Sequence, residues 1–104
     1  MKKIKTAIFI SGRGSNMMAL VEAARAEDFP AEFVLVVAND PGAAGLTWAA
    51  QQGIKTFALD HKPFGKDREA HERALDAALR EAGVEFICLA GYLRVLTPWL
   101  VQAW

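Results

Sequence analysis

The sequence predicts an α/β fold: a parallel sheet with helices on both faces. Three features point there, namely short continuous apolar runs, helical stripes lying between them, and regular alternation of the two along 104 residues. The runs Ala7 to Ile10, Phe33 to Ala38 and Phe86 to Ala90 do not alternate polar with apolar residues. Both faces of such strands are expected to be covered, as in a parallel sheet under helices. A weaker run from Lys55 to Leu59 supplies a further strand.

The helices follow in order. From Asn16 to Glu27, the residues Met17, Leu20, Val21 and Ala24 fall at helical spacing. Ala43 to Gln52 is alanine-rich and stops at Gly53, a natural left-handed cap. Asp67 to Ala82 carries the clearest stripe, made of Ala70, Ala74, Leu75, Ala78, Leu79 and Ala82, and Gly83 ends it. On its wet face Glu69–Arg73 and Asp76–Arg80 stand at i,i+4 spacing, each pair adding a few tenths of a kcal/mol. A last helix is expected from Thr97 as N-cap and Pro98 at its first position. The resulting β-α-β-α-β-α-β order predicts a Rossmann-like, doubly wound sheet. Repeats, linkers and low-complexity segments are absent from the sequence.

Composition narrows the function classes. One small domain with a single core is what 104 residues allow. The 12 basic and 12 acidic side chains cancel, which argues against a general nucleic-acid or anionic-membrane binder. The one cysteine, Cys88, has no partner for an internal disulfide, so a reducing compartment is the default. No apolar stretch reaches the roughly 18 residues of a membrane span. Met1-Lys2-Lys3 with Ile8-Phe9-Ile10 is cut too short by Ser11 to Gly14 to serve as a signal peptide. A soluble, cytoplasmic protein is expected. The chain stops at Trp104 within an apolar pattern, which its length alone does not explain.

In such a sheet, ligands bind beyond the carboxyl ends of the strands, so chemistry is sought in the loops there. After the first strand, Ser11-Gly12-Arg13-Gly14-Ser15-Asn16 opens directly into a helix. Glycines permit a tight turn and close backbone approach, and the free amides of a helix start attract anions. Ser15 and Asn16 would add side-chain donors suited to a phosphate monoester. The competing reading is a tight turn in which Ser or Asn merely caps the helix. A dinucleotide fingerprint needs a third glycine where Met17 stands, although Asp40 could serve as its ribose-binding acid. Asn39-Asp40-Pro41-Gly42 reads equally well as a plain turn. The P-loop signature is absent.

Other loops are less specific. Arg68 stands in the first turn of its helix, where a cation opposes the dipole. It is either a solvated surface residue or reaches an anionic ligand group. His61 and His71 are expected at the surface, and neither has ligand-spaced partners for a metal. The apolar stretch Leu89 to Pro98 suits a flat hydrophobic pocket read through backbone groups, or a plug of Leu93 and Leu96 over the sheet end. Cys88 fits a core position rather than a nucleophile. No loop offers a nucleophile or base with an orienting partner, so no catalytic residue is assigned within the chain.

Three motifs, Ala7-Ile8-Phe9-Ile10-Ser11-Gly12-Arg13-Gly14-Ser15-Asn16, Val37-Ala38-Asn39 and Leu89-Ala90-Gly91-Tyr92-Leu93-Arg94-Val95-Leu96-Thr97-Pro98, together resemble the phosphoribosylglycinamide formyltransferases. The similarity runs the whole chain in register. It implies a formyltransferase-type fold and transfer of a formyl group from 10-formyltetrahydrofolate, as cosubstrate, to the amine of glycinamide ribonucleotide in purine synthesis. By the resemblance, Gly14, Ser15 and Asn16 would hold the phosphate of glycinamide ribonucleotide. Arg68 would lie at the folate site, and Leu93, Arg94, Val95 and Leu96 would grip the pterin through their backbone. No metal would be needed.

The family takes a catalytic Asn, His and Asp from sequence beyond this stretch. The resemblance therefore implies a truncated fold: residues 1–104 as the amino-terminal nucleotide- and folate-binding part of one formyltransferase domain, inactive alone. An uncovered last strand would then favour self-association. Two alternatives stand beside this one. One is a Rossmann-like nucleotide-binding module without chemistry. The other is a formyltetrahydrofolate hydrolase, whose family carries a regulatory domain ahead of the first strand; a chain starting at Met1 is expected to lack it.

Overall fold

A computed structural model describes residues 3–12, 14–60, 62–64 and 67–90. Strand β1 (Ile4–Ile10) leads into helix α1 (Ser15–Ala23), then β2 (Ala31–Ala38), α2 (Ala44–Gln51), β3 (Lys55–Ala58), a short 3-10 turn at Lys62–Phe64, α3 (Arg68–Glu81) and β4 (Phe86–Leu89). The strands form one parallel sheet in the order β3-β2-β1-β4. The expected helix from Thr97 lies outside the described residues.

Alternate residues of the two central strands feed two separate cores. Ile8 and Ile10 of β1 and Val36 and Ala38 of β2 pack with Met17 and Val21 of α1 and Ala49 of α2. Ala7 and Phe9, with Leu35 and Val37, face the other way and meet Leu75 and Leu79 of α3. Ala7 to Ile10 are fully buried, which is why the apolar run shows no polar alternation. The pairing of β1 with β2 slips between Thr6 and Ala7, whose partners are Phe33 and Leu35. Val34 is the extra residue, and it shares the α3 side with Leu35.

Gly53 and Gly83 end α2 and α3 as the sequence predicts, at φ 79° and 74°. Past each glycine the next amide reaches back into the helix, Ile54 to the carbonyl of Ala49 (3.1 Å) and Val84 to that of Leu79 (3.0 Å). Those bonds satisfy end carbonyls while bringing an apolar residue over the last turn. On α3 both expected ion pairs form, Arg73–Glu69 at 2.6 Å and Arg80–Asp76 at 3.3 Å.

Two elements depart from expectation. Helix α1 stops at Ala23 rather than Glu27. Lys3 supplies the ending from elsewhere in the chain, its Nζ donating to the carbonyl of Ala26 at 3.0 Å and lying 3.5 Å from that of Ala24. Strand β4 lies at the sheet edge and is not covered on both faces: Phe86 is 59% and Leu89 50% exposed. Among the described residues no helix is long and apolar enough to cross a membrane.

Two substitutions on α3 test the division of its faces. Leu79→Ala empties a fully buried position, and should lower stability by about 2–5 kcal/mol. Arg73→Ala breaks only an exposed pair, and should cost less than about 0.5 kcal/mol. Urea unfolding of both variants, with equal m-values, measures the difference.

Candidate functional site

Parallel strands bring the loops that follow β1, β2, β3 and β4 to one edge, and α1 and α3 both start there. Two backbone bonds hold the strand ends together at this edge, Leu59 N–H to Ala38 O and Ala90 N–H to Phe9 O, each 3.0 Å. The helices leave from opposite faces, α1 with α2 on one and α3 on the other. The sheet changes direction between β1 and β4, the position where ligands of such sheets bind.

At the β1 end, Gly14 is the N-cap of α1 in the left-handed conformation, φ 74°. Its carbonyl accepts the first helical bond from Met18 N–H at 2.9 Å. The amides of Ser15, Asn16 and Met17 precede that bond, so the helix offers them no acceptor. Gly14, as N-cap, has no side chain with which to cap the helix, and the first turn holds no acid. The positive end of the dipole is therefore uncompensated by α1 itself. Ser15 and Asn16 are exposed at the first two helical positions, so neither performs the capping that the competing reading assigned to them. Glycine at 14 is needed for space as well as for φ. A Cβ there would lie 2.8 Å from Met17 Cε and 3.5 Å from Gly45 Cα. Gly45, buried in α2, donates its amide to Gly12 O at 3.1 Å and fastens the turn to the neighbouring helix.

The dinucleotide alternative fares worse at this edge. Met17, in place of the third glycine, is fully buried between α1 and the sheet. Asp40 turns its carboxylate onto its own loop, accepting from Gly42 N–H at 2.9 Å, while its carbonyl accepts from Ala43 N–H at 3.0 Å. The plain-turn reading of Asn39 to Gly42 is the one realised. Asn39 itself is buried, a polar residue of the edge to which sequence spacing assigned no role.

Across the sheet, Arg68 is the exposed first residue of α3. The helix start behind it is self-satisfied: Asp67 Oδ1 accepts from Ala70 N–H at 3.0 Å, and Glu69 lies in the first turn. Arg68 forms no ion pair with the other described residues. His71 corrects a sequence expectation, because it is fully buried rather than at the surface. Its ring nitrogen Nε2 sits 2.8 Å from Leu59 O. The signal was present in the spacing, since His71 stands four residues before Leu75 and eight before Leu79 on the same stripe. Glu72 is buried beside it. His61 and the expected pterin contacts Leu93, Arg94, Val95 and Leu96 lie outside the described residues. Cys88 is half-buried in the middle of β4. The structure thus brings Gly14, Ser15, Asn16 and Arg68 to one edge, with the first three on one face and Arg68 at the start of the opposite helix.

Comparison with known proteins matches residues 4–104 to the family described as formyl transferase. A trifunctional purine biosynthetic protein adenosine-3 from Gallus gallus is 43% identical over 102 residues, covering 98% of this chain and 10% of that protein. A phosphoribosylglycinamide formyltransferase from Haemophilus influenzae is 36% identical, over 98% of this chain and 47% of that protein. The crystal structure of phosphoribosylglycinamide formyltransferase from Brucella melitensis superimposes with a TM-score of 0.91 at 45% identity, over 98% of this chain and 53% of that one. The chain spans a tenth of the avian relative and about half of each bacterial one. The sheet order, the glycine turn into α1 and a match running from Ile4 to Trp104 agree: the chain belongs to the formyl transferase family.

Proposed function

We propose that this chain supplies the phosphate-binding arm and part of the formyl-donor arm of a phosphoribosylglycinamide formyltransferase. The reaction moves the formyl group of 10-formyltetrahydrofolate to the primary amine of glycinamide ribonucleotide. The observation that carries the proposal is the start of α1 at the carboxyl end of β1, where left-handed Gly14 is the N-cap and the helix's own first turn holds no acid. A dianionic phosphate complements that site in charge and in hydrogen-bonding demand. Gly14 lets the phosphate approach the backbone, and Ser15 and Asn16 add side-chain donors. Arg68 pairs with an anionic group of the formyl donor. Leu93, Arg94, Val95 and Leu96 are assigned the pterin from sequence.

The chemistry divides accordingly. The amine nitrogen attacks the formyl carbon, a tetrahedral oxyanion forms, and the bond from that carbon to the folate nitrogen breaks. One proton leaves the amine and one reaches the folate nitrogen. The described residues bind and orient the two substrates, which converts a bimolecular encounter into reaction within one complex. Groups that stabilise the oxyanion and move the protons belong, in this proposal, to the remainder of the enzyme, since the bacterial relatives are about twice as long.

Substitutions in the complete enzyme should separate the two arms. Ser15→Asp puts a carboxylate against the phosphate, and should raise the KM for glycinamide ribonucleotide at least about tenfold while sparing that of the formyl donor. Arg68→Ala should do the reverse, raising the formyl-donor KM about tenfold through loss of a charge-assisted bond. Steady-state kinetics with both substrates varied reads each effect. An unchanged nucleotide KM in the first variant would remove the phosphate assignment. Gly14→Ala should weaken nucleotide binding and also cost about 1–2 kcal/mol of stability, because a side chain there is strained at positive φ.

A further inference from the structure

We infer that His71 is a positioning residue for the formyl-donor arm, holding Arg68 in place by tying α3 to the end of β3 and to Phe64. The inference rests on the proposed role of Arg68. His71 is fully buried one turn into α3, and its Nε2 lies 2.8 Å from the carbonyl oxygen of Leu59. A carbonyl only accepts, so Nε2 carries the proton and donates it. Leu59 is itself fixed to the sheet through its amide, which donates to Ala38 O at 3.0 Å. The hydrogen bond therefore joins the first turn of α3 to the strand layer rather than to another mobile group.

A second contact clamps the stretch between them. The rings of His71 and Phe64 meet edge-on with centroids 5.4 Å apart. Phe64 O accepts from Asp67 N–H at 2.9 Å, and Asp67 caps the helix through Ala70 N–H. Arg68 follows directly on that cap. Leu59 is bonded to the sheet and Phe64 to Asp67, the residue before Arg68, and His71 touches both Leu59 and Phe64, so it joins the two. Packing alone does not require an imidazole here. A leucine would continue the stripe of Leu75 and Leu79, whereas a buried imidazole is tolerated only with a hydrogen-bond partner, and its partner is the chain entering the Arg68 turn.

Kinetics of the complete enzyme test this. His71→Phe keeps the ring and its packing on Phe64 but removes the donor, leaving the Leu59 carbonyl without it. The formyl-donor KM should rise about five- to tenfold, with kcat and the KM for glycinamide ribonucleotide within about twofold. His71→Gln, whose amide donates from a comparable reach, should recover most of the loss. In an Arg68→Ala background, His71→Phe should add little, because both act on one arm. A formyl-donor KM unchanged by His71→Phe, or a full multiplicative loss in the Arg68→Ala background, would overturn the inference. Should His71→Phe not fold, His71→Asn, too short to reach Leu59, is read against His71→Gln in the same assays. Unsubstituted enzyme that fails to transfer the formyl group overturns the activity and this inference together. Turnover with the wrong KM pattern overturns the role of His71 alone.

Discussion

The rest of the structure depends on burying β1 from both sides. Its last four residues, Ala7 to Ile10, have no solvent face, and each side chain faces either the α1–α2 core or the α3 core. A strand so placed must satisfy all its backbone groups within the sheet, which β2 and β4 do from either edge. The chain leaves the layer after Ile10 and enters α1 at Ser15, after four intervening residues. The glycine turn and the left-handed Gly14 follow from this exit. The site is thus a consequence of how the most buried strand ends.

The described residues on either side of the turn are braced by the same packing. Ile10 and Met17 are fully buried beneath it, and the Gly45 amide holds Gly12 from the side. A Cβ at Gly14 would lie within van der Waals range of Gly45 Cα, so the turn and α2 are packed against each other. On the proposed function, donors fixed in this way need little reorganisation to meet a phosphate, and so lose less conformational freedom on binding than a loose loop would.

Much of this was legible in the sequence, for local reasons. Ala7 to Ile10 without alternation means two covered faces, Gly53 and Gly83 mark helix ends that only a left-handed residue closes, and Ser11 to Asn16 announces a turn into a helix. What escaped depends on partners distant along the chain. Lys3 shortens α1 by reaching across to the carbonyl of Ala26, and the slip at Val34 shows only when β1 and β2 are set side by side. His71 was misjudged by residue type although its spacing with Leu75 and Leu79 was right. Of the candidate site, the glycine turn into α1 is local and was readable. That Ser15 and Asn16 are not caps required knowing that Gly14 holds that position.

The two helix starts at the carboxyl edge solve the same electrostatic problem in opposite ways. Helix α3 satisfies its own first turn with Asp67 and Glu69, which offset the unfavourable placement of Arg68, a cost of about 0.3–1 kcal/mol for a cation at that end of the dipole. Helix α1 begins at a glycine, which has no side chain to cap it, and its own first turn carries no acid. On the proposed function one end attracts an anion through backbone amides and the other through a guanidinium, from opposite faces of the sheet. On the proposed function these are the anchors of two different substrates. Amides converging on a point suit a compact phosphate, while a planar fork on a long stem suits a carboxylate. On that reading, recognition of the two substrates is separated in both place and chemistry.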